Sequence, residues 1–149
     1  GAALLDGTID ALVSDHAPVD EDAKVLPFAE AEPGATGVEL LLALALKWAQ
    51  EDGVPLLQAL GTVTSRPAAV LGGALWSLSA CAGQIVPGGV ADLCVWDPAV
   101  EWAVEAQELV SQGKHTPFEG VRLQGRVRAT VVDGQVAYEA ERNRVAQPA

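Results

Sequence analysis

The stretch Ile9-Asp10-Ala11-Leu12-Val13-Ser14-Asp15-His16-Ala17-Pro18 constrains this chain more than any other. Ile9, Ala11, Leu12 and Val13 leave too few polar positions for a strand with one wet face, which predicts an interior strand of a parallel sheet, covered on both sides. Ser14, Asp15 and His16 then fall at its C-terminal end, where open α/β sheets and barrels place their ligands, and Pro18 stops the run. An acid at that position binds metal or moves protons; equally, it caps the following turn by accepting backbone N–H bonds. His16 decides nothing alone, because metal sites draw three or four ligands from several elements.

Composition narrows the partners. The chain carries 20 acidic against 9 basic residues, a formal charge of −11, which argues against nucleic acid or an anionic membrane surface and for a small molecule or another protein. Its 149 residues, 50% hydrophobic, suffice for one domain with a real core or for pieces of two. Cys81 and Cys94 lack the spacing of a zinc site or a disulfide framework, as expected of a reducing cytoplasm. The most apolar segment, residues 38–49, is interrupted by Glu39 and Lys47 and falls short of the roughly 20 residues that span a bilayer. Asp6 and Asp10 interrupt any signal-peptide core. A start at Gly1, no methionine and immediate entry into an apolar strand read as a sequence whose beginning has been cut away.

In chain order, residues 1–5 suit a helix end and Asp6-Gly7 a turn into the strand. Residues 19–33 show no periodicity and read as a long functional loop or lid, or as an ordinary solvated loop. Thr36-Gly37-Val38-Glu39 has capping-box spacing and predicts a helix from there to about Glu51, closed by Gly53 and buried over most of its circumference. Pro55 opens a second helix through Leu60, and Ser65 caps a third over residues 67–71. Residues 76–83 mark the boundary between an α-rich and a β-rich half. A strand over residues 90–96, with Ala91, Leu93 and Val95 on one face, turns at Asp97-Pro98 into a second strand bearing Trp102 and Val104. Residues 105–110 make a helical turn, and a loop over 111–120 holds His115. Residues 126–138 form a hairpin about Asp133-Gly134 with Val127, Ala129 and Val131 on its buried face, and residues 142–149 a frayed tail.

Taken together in this order, Asp6-Gly7-Thr8-Ile9-Asp10, Ser14-Asp15-His16-Ala17-Pro18, Gly34-Ala35-Thr36-Gly37-Val38-Glu39, Thr64-Ser65-Arg66-Pro67-Ala68, Gly89-Val90-Ala91-Asp92-Leu93, His115-Thr116-Pro117-Phe118-Glu119-Gly120 and the terminal hairpin resemble the C-terminal part of a dihydroorotase of the amidohydrolase superfamily. The resemblance implies a mixed α/β fold. Residues 1–75 would be the remnant of a metal-dependent (β/α)8 barrel, its last strand and helices, and residues 76–149 a small β-sandwich domain with its tail.

The same resemblance implies that Asp15 touches a zinc centre and moves a proton as a cyclic amide, dihydroorotate, opens to carbamoyl-aspartate or closes again in pyrimidine biosynthesis. It places Gly34 and Val19 at the substrate, and Val19 stands where active relatives usually carry a second histidine. Arg66 replaces a usual asparagine. Two alternatives stay open: an inactive dihydroorotase-like subunit serving as a structural partner of aspartate transcarbamoylase, or a relative acting on hydantoin, dihydropyrimidine or allantoin rings. The expectation for residues 1–149 by themselves is no closed barrel, no two-metal centre and no activity, with homo-oligomerisation possible in the whole protein.

Overall fold

Asp133-Gly134 needs no tertiary help to turn the chain. In the computed structural model, which describes residues 1–72 and 82–140, both residues take positive φ, 49° and 74°, as a two-residue hairpin turn requires. The turn joins β2 (Arg122–Val132) to β3 (Gln135–Glu139), antiparallel, with Val132 opposite Gln135 and Thr130 opposite Tyr138. On the other side of β2 lies β1 (Leu93–Ala103), also antiparallel, from Leu93 opposite Val131 to Ala103 opposite Arg122. The three strands form one sheet in the order β1-β2-β3.

One strand expectation is corrected here. Asp97-Pro98 does not turn the chain: β1 runs through it, and the pairing slips between Asp97 and Glu101 as a bulge. Proline has no N–H to give to a ladder and fits at such a slip, while the Asp97 carboxylate accepts the N–H of Ala99 at 2.9 Å. Leu93 and Val95 do share a face, paired in regular register with Val131 and Ala129, but Val95 is 51% exposed, and a second slip follows it, between Val95 and Trp96.

The helices are α1 (Ala2–Leu5), α2 (Leu41–Asp52), α3 (Leu56–Gly61) and α4 (Ser65–Leu71). A 3-10 turn, Val38–Leu40, leads into α2, which stops at Gly53 in the left-handed conformation with φ 65°. Pro55 sits just ahead of α3, and Ser65 is the first residue of α4 rather than its cap. A further 3-10 turn, Ala106–Glu108, supplies the helical turn expected after β1.

The main core forms where α2 lies on the sheet side: Leu40 and Ala43 meet Val104, Leu109 and Leu123, ringed by Leu44, Trp102, Phe118 and Val121. Each fully buried Leu or Val side chain contributes roughly 1.5–3 kcal/mol, so packing rather than helix propensity fixes α2. A smaller cluster, Ala49, Val54 and Ala59 under Trp48, joins α2 to α3. The predicted domain boundary at 75/76 and the tail at 142–149 lie outside the described residues, as does Cys81, whereas Cys94 is exposed. No helix among the described residues is long and apolar enough to cross a membrane.

The largest departure concerns Ile9–Val13. The segment forms no strand, and Val13 is 77% exposed. A strand exists by its ladder, and no other parallel strand is present among the described residues to supply one. Its backbone turns to helical neighbours instead: the N–H of Ile9 donates to the Ala3 carbonyl at 2.8 Å and that of Leu12 to the Thr62 carbonyl at 2.9 Å. The described residues therefore hold no closed barrel, and the sheet they contain is the single three-stranded one.

Candidate functional site

Three loops converge around the Asp15 motif. Residues 14–19 lie along residues 34–37, joined by the Ala17 N–H to the Ala35 carbonyl at 3.0 Å. Residues 111–115 close over both, with the Thr36 N–H donating to the His115 carbonyl at 2.8 Å. The contact between loops is backbone-close. A Cβ added to Gly34 would stand 2.5 Å from the Ala17 carbonyl oxygen and 2.8 Å from Val19 Cγ2, and one on Gly113 would stand 2.7 Å from Pro18 Cβ.

Asp15 is exposed and has φ 44°, a left-handed conformation uncommon outside glycine, which aspartate tolerates better than most. Among the described residues no side-chain hydrogen bond or ion pair ends on its carboxylate, so the turn-capping alternative is not realised. His16, half-buried beside it, is held firmly. Its Nδ1 accepts the N–H of Gly37 at 3.2 Å and faces that of Val38 at 3.4 Å. The histidine thereby ties the Asp15 loop to the start of the α2 region. Val19 is half-buried between Gly34 and Gly113, an apolar side chain with no hydrogen bond to offer.

The capping box read at Thr36–Glu39 is not made. The Thr36 hydroxyl donates to the Gly113 carbonyl and lies 3.4 Å from Ser111 Oγ, while the Glu39 carboxylate accepts the N–H groups of Val110 and Ser111, each at 2.9 Å. Both side chains reach across to a loop more than seventy residues away, where backbone groups outside any ladder need partners as a helix end does. No short-range pattern signals this use of Glu39. Arg66, where the resemblance implies an asparagine, donates from Nη1 to the Leu4 carbonyl at 3.0 Å and ties α4 to α1.

The loop after the motif closes on itself. Glu21–Lys24 forms a 3-10 turn, the Lys24 ammonium donates to the Glu32 carbonyl, and the Glu32 N–H returns to Ala23 at 3.2 Å. Its tip carries Phe28, fully exposed. One open cleft, of about 400 Å³, lies elsewhere, lined by Gly7, Ile9, Asp10, Arg66, Ala69 and Val70 at the opposite end of the segment from Asp15.

Metal is where the residues present fall short. Among the described residues no three histidine, cysteine, aspartate or glutamate side chains come together, and one exposed carboxylate with one histidine already committed at Nδ1 does not make a divalent-cation site. No chemical step through a metal follows from these residues by themselves.

An interior-looking segment ending in Ser14-Asp15-His16, a glycine-bearing loop against it and a small antiparallel sheet behind are features of one class, the amidohydrolases: residues 1–138 match the model of the amidohydrolase family, and the chain belongs to it. Within that family it is 42% identical over 139 residues to a dihydroorotase of Citrifermentans bemidjiense and 40% identical over 140 residues to a dihydroorotase-like protein of Pseudomonas putida. These matches cover 93% and 94% of this chain, which spans only 31% of the length of either relative. Among solved structures, a D-hydantoinase (dihydropyrimidinase) from Thermus sp. superposes with a TM-score of 0.80 at 26% identity, over 93% of this chain and 30% of that one.

Proposed function

We propose that the chain carries the proton-transfer element of a dihydroorotase-type hydrolase of cyclic amides, with Asp15 as the catalytic residue. The observation that supports it best is the Asp15 carboxylate itself, exposed and without a partner among the described residues, on a backbone of positive φ beside a histidine pinned to Gly37. A group kept free of partners at such a place is available to a substrate. In this reading Asp15 accepts a proton from the water whose oxygen attacks the ring carbonyl carbon. As the carbon–nitrogen bond breaks it returns that proton to the ring nitrogen, which leaves as the amide of carbamoyl-aspartate. Gly34 and Val19 border the substrate, and the metal that the family resemblance implies, zinc, is held with ligands beyond those described. In the whole protein Ile9–Val13 takes its place as a barrel strand and β1-β2-β3 as one layer of a sandwich.

The test is turnover of dihydroorotate, hydantoin and dihydrouracil by the whole protein and its Asp15→Asn variant. A loss of about a hundredfold or more on dihydroorotate, with the fold unchanged, is expected of a general acid–base. A variant as active as its parent would remove Asp15 from the mechanism.

One observation favours a second reading, that of a silent subunit supporting aspartate transcarbamoylase. Val19, packed against Gly34 and Gly113, offers no donor to a substrate carboxylate, a loss of roughly 1.5–3 kcal/mol or about ten- to a hundredfold in binding. A whole protein that turns over none of the three rings, and gains turnover as Val19→His, would select that reading.

A further inference from the structure

Glu39 is the one carboxylate in the described residues that accepts two consecutive backbone N–H groups from another element, those of Val110 and Ser111. Beside it the buried Thr36 gives its hydroxyl to the Gly113 carbonyl and its N–H to the His115 carbonyl. With the Thr36 hydroxyl also 3.4 Å from Ser111 Oγ, five contacts from a four-residue stretch thus hold residues 110–115. That loop in turn bears on the Asp15 motif without slack, since a single added carbon on Gly113 would meet Pro18 Cβ at 2.7 Å and the Val19 nitrogen at 3.1 Å. From the other side Gly37 and the adjoining Ala35 hold the motif directly, Gly37 through His16 and Ala35 through Ala17.

We infer that Glu39 is a positioning residue: through the 110–115 loop it presses the Pro18–Val19 segment against Gly34 and so sets the place of the substrate-side loop relative to the core. The inference rests on the reading of the Asp15 loop as the reacting site. Glu39 touches no reacting atom in it and acts only through Val110, Ser111 and Gly113. Charge-assisted bonds to backbone N–H groups are the strong kind, and two on one carboxylate fix both the loop's position and its rotation.

Amide hydrogen exchange of the 149-residue chain reads the coupling directly. In Glu39→Ala, exchange at Val110 and Ser111 rises at least tenfold and exchange at Ala17, whose N–H joins the Asp15 motif to Ala35, rises with it, while Val131 in the sheet keeps its protection. Glu39→Gln, which retains one acceptor oxygen, falls between. Gly113→Ala pushes on Pro18 without removing a bond, so it raises exchange at Ala17 and leaves Val110 and Ser111 unchanged. That variant decides the matter if Glu39→Ala also loses protection at Val131. In the whole protein Glu39→Ala raises KM for dihydroorotate about tenfold with kcat within threefold. Ala17 exchange unchanged in both Glu39→Ala and Gly113→Ala, or a fall in kcat at constant KM, would overturn the inference. Absence of turnover in the unaltered whole protein would instead overturn the proposed function, and the amide exchange would still decide the coupling.

Discussion

Replacing Gly34 by alanine tests the geometry of the candidate site in one step. Its φ of 128° lies in territory that side chains rarely enter, and holding a non-glycine residue in such a region costs about 1–3 kcal/mol. The new Cβ would also lie 2.5 Å from a backbone oxygen, that of Ala17, which cannot swing away as a flexible side chain could. Overpacking of that kind costs about another 1–3 kcal/mol. The reduced freedom of the unfolded chain offsets about 0.4–1 kcal/mol, leaving a net destabilisation of about 1–5.6 kcal/mol, with a midpoint near 3, a large share of the 5–15 typical of a domain. Gly120→Ala is the comparison: its φ is 73° and nothing lies within 4 Å of the added carbon, so it reports a backbone cost alone, about 1 kcal/mol. Urea unfolding of both variants at unchanged m gives the difference. Gly34→Ala should be the less stable by about 2 kcal/mol, with the Ala17–Ala35 hydrogen bond weakened. Equal midpoints would refute the close approach of the two loops.

Two further outcomes follow from buried groups. Thr36→Val keeps the shape of a buried side chain but strands the Gly113 carbonyl, so stability measured in urea should fall by about 1–3 kcal/mol, and a change under 0.5 would mean that water reaches that carbonyl. Burial pushes the Cys94 thiol above its ordinary pKa although the residue as a whole is exposed, so in a Cys81→Ser background its alkylation midpoint should lie at higher pH than in the urea-unfolded chain. Because the folded value is the raised one, the associated stability is complete below the unfolded thiol's pKa and disappears as pH rises through the folded one; coincident midpoints would contradict this.

What the sequence displayed clearly was whatever short-range chemistry decides. Asp133-Gly134 determines its hairpin from adjacent residues, and Gly53 ends α2 by a left-handed cap that only nearby carbonyls need. Ile9–Val13 reads as a buried strand because periodicity reports how apolar a segment is, not whether a neighbour stands beside it to pair with. Asp97-Pro98 reads as a turn because proline breaks ladders, yet the pairing of β1 with β2 on both sides of it carries the strand through as a bulge. In the candidate site, Asp15 was singled out by its place after an apolar run. The parts played by Thr36, Glu39 and Gly113 were not, since each is defined by a partner remote in the chain.

That remoteness has a kinetic side. The bond from Thr36 to Gly113 spans 77 residues and that from Glu39 to Ser111 spans 72, so neither can form until the sheet half of the chain has been brought to the helix. The β2–β3 hairpin closes within microseconds on its own local contacts, whereas these closures must wait for a long loop of chain to be gathered in. The N-terminal turn of the α2 region is thus among the last pieces to set. During synthesis, Thr36 and Glu39 leave the ribosome well before the residues that will hold them, Val110, Ser111 and Gly113.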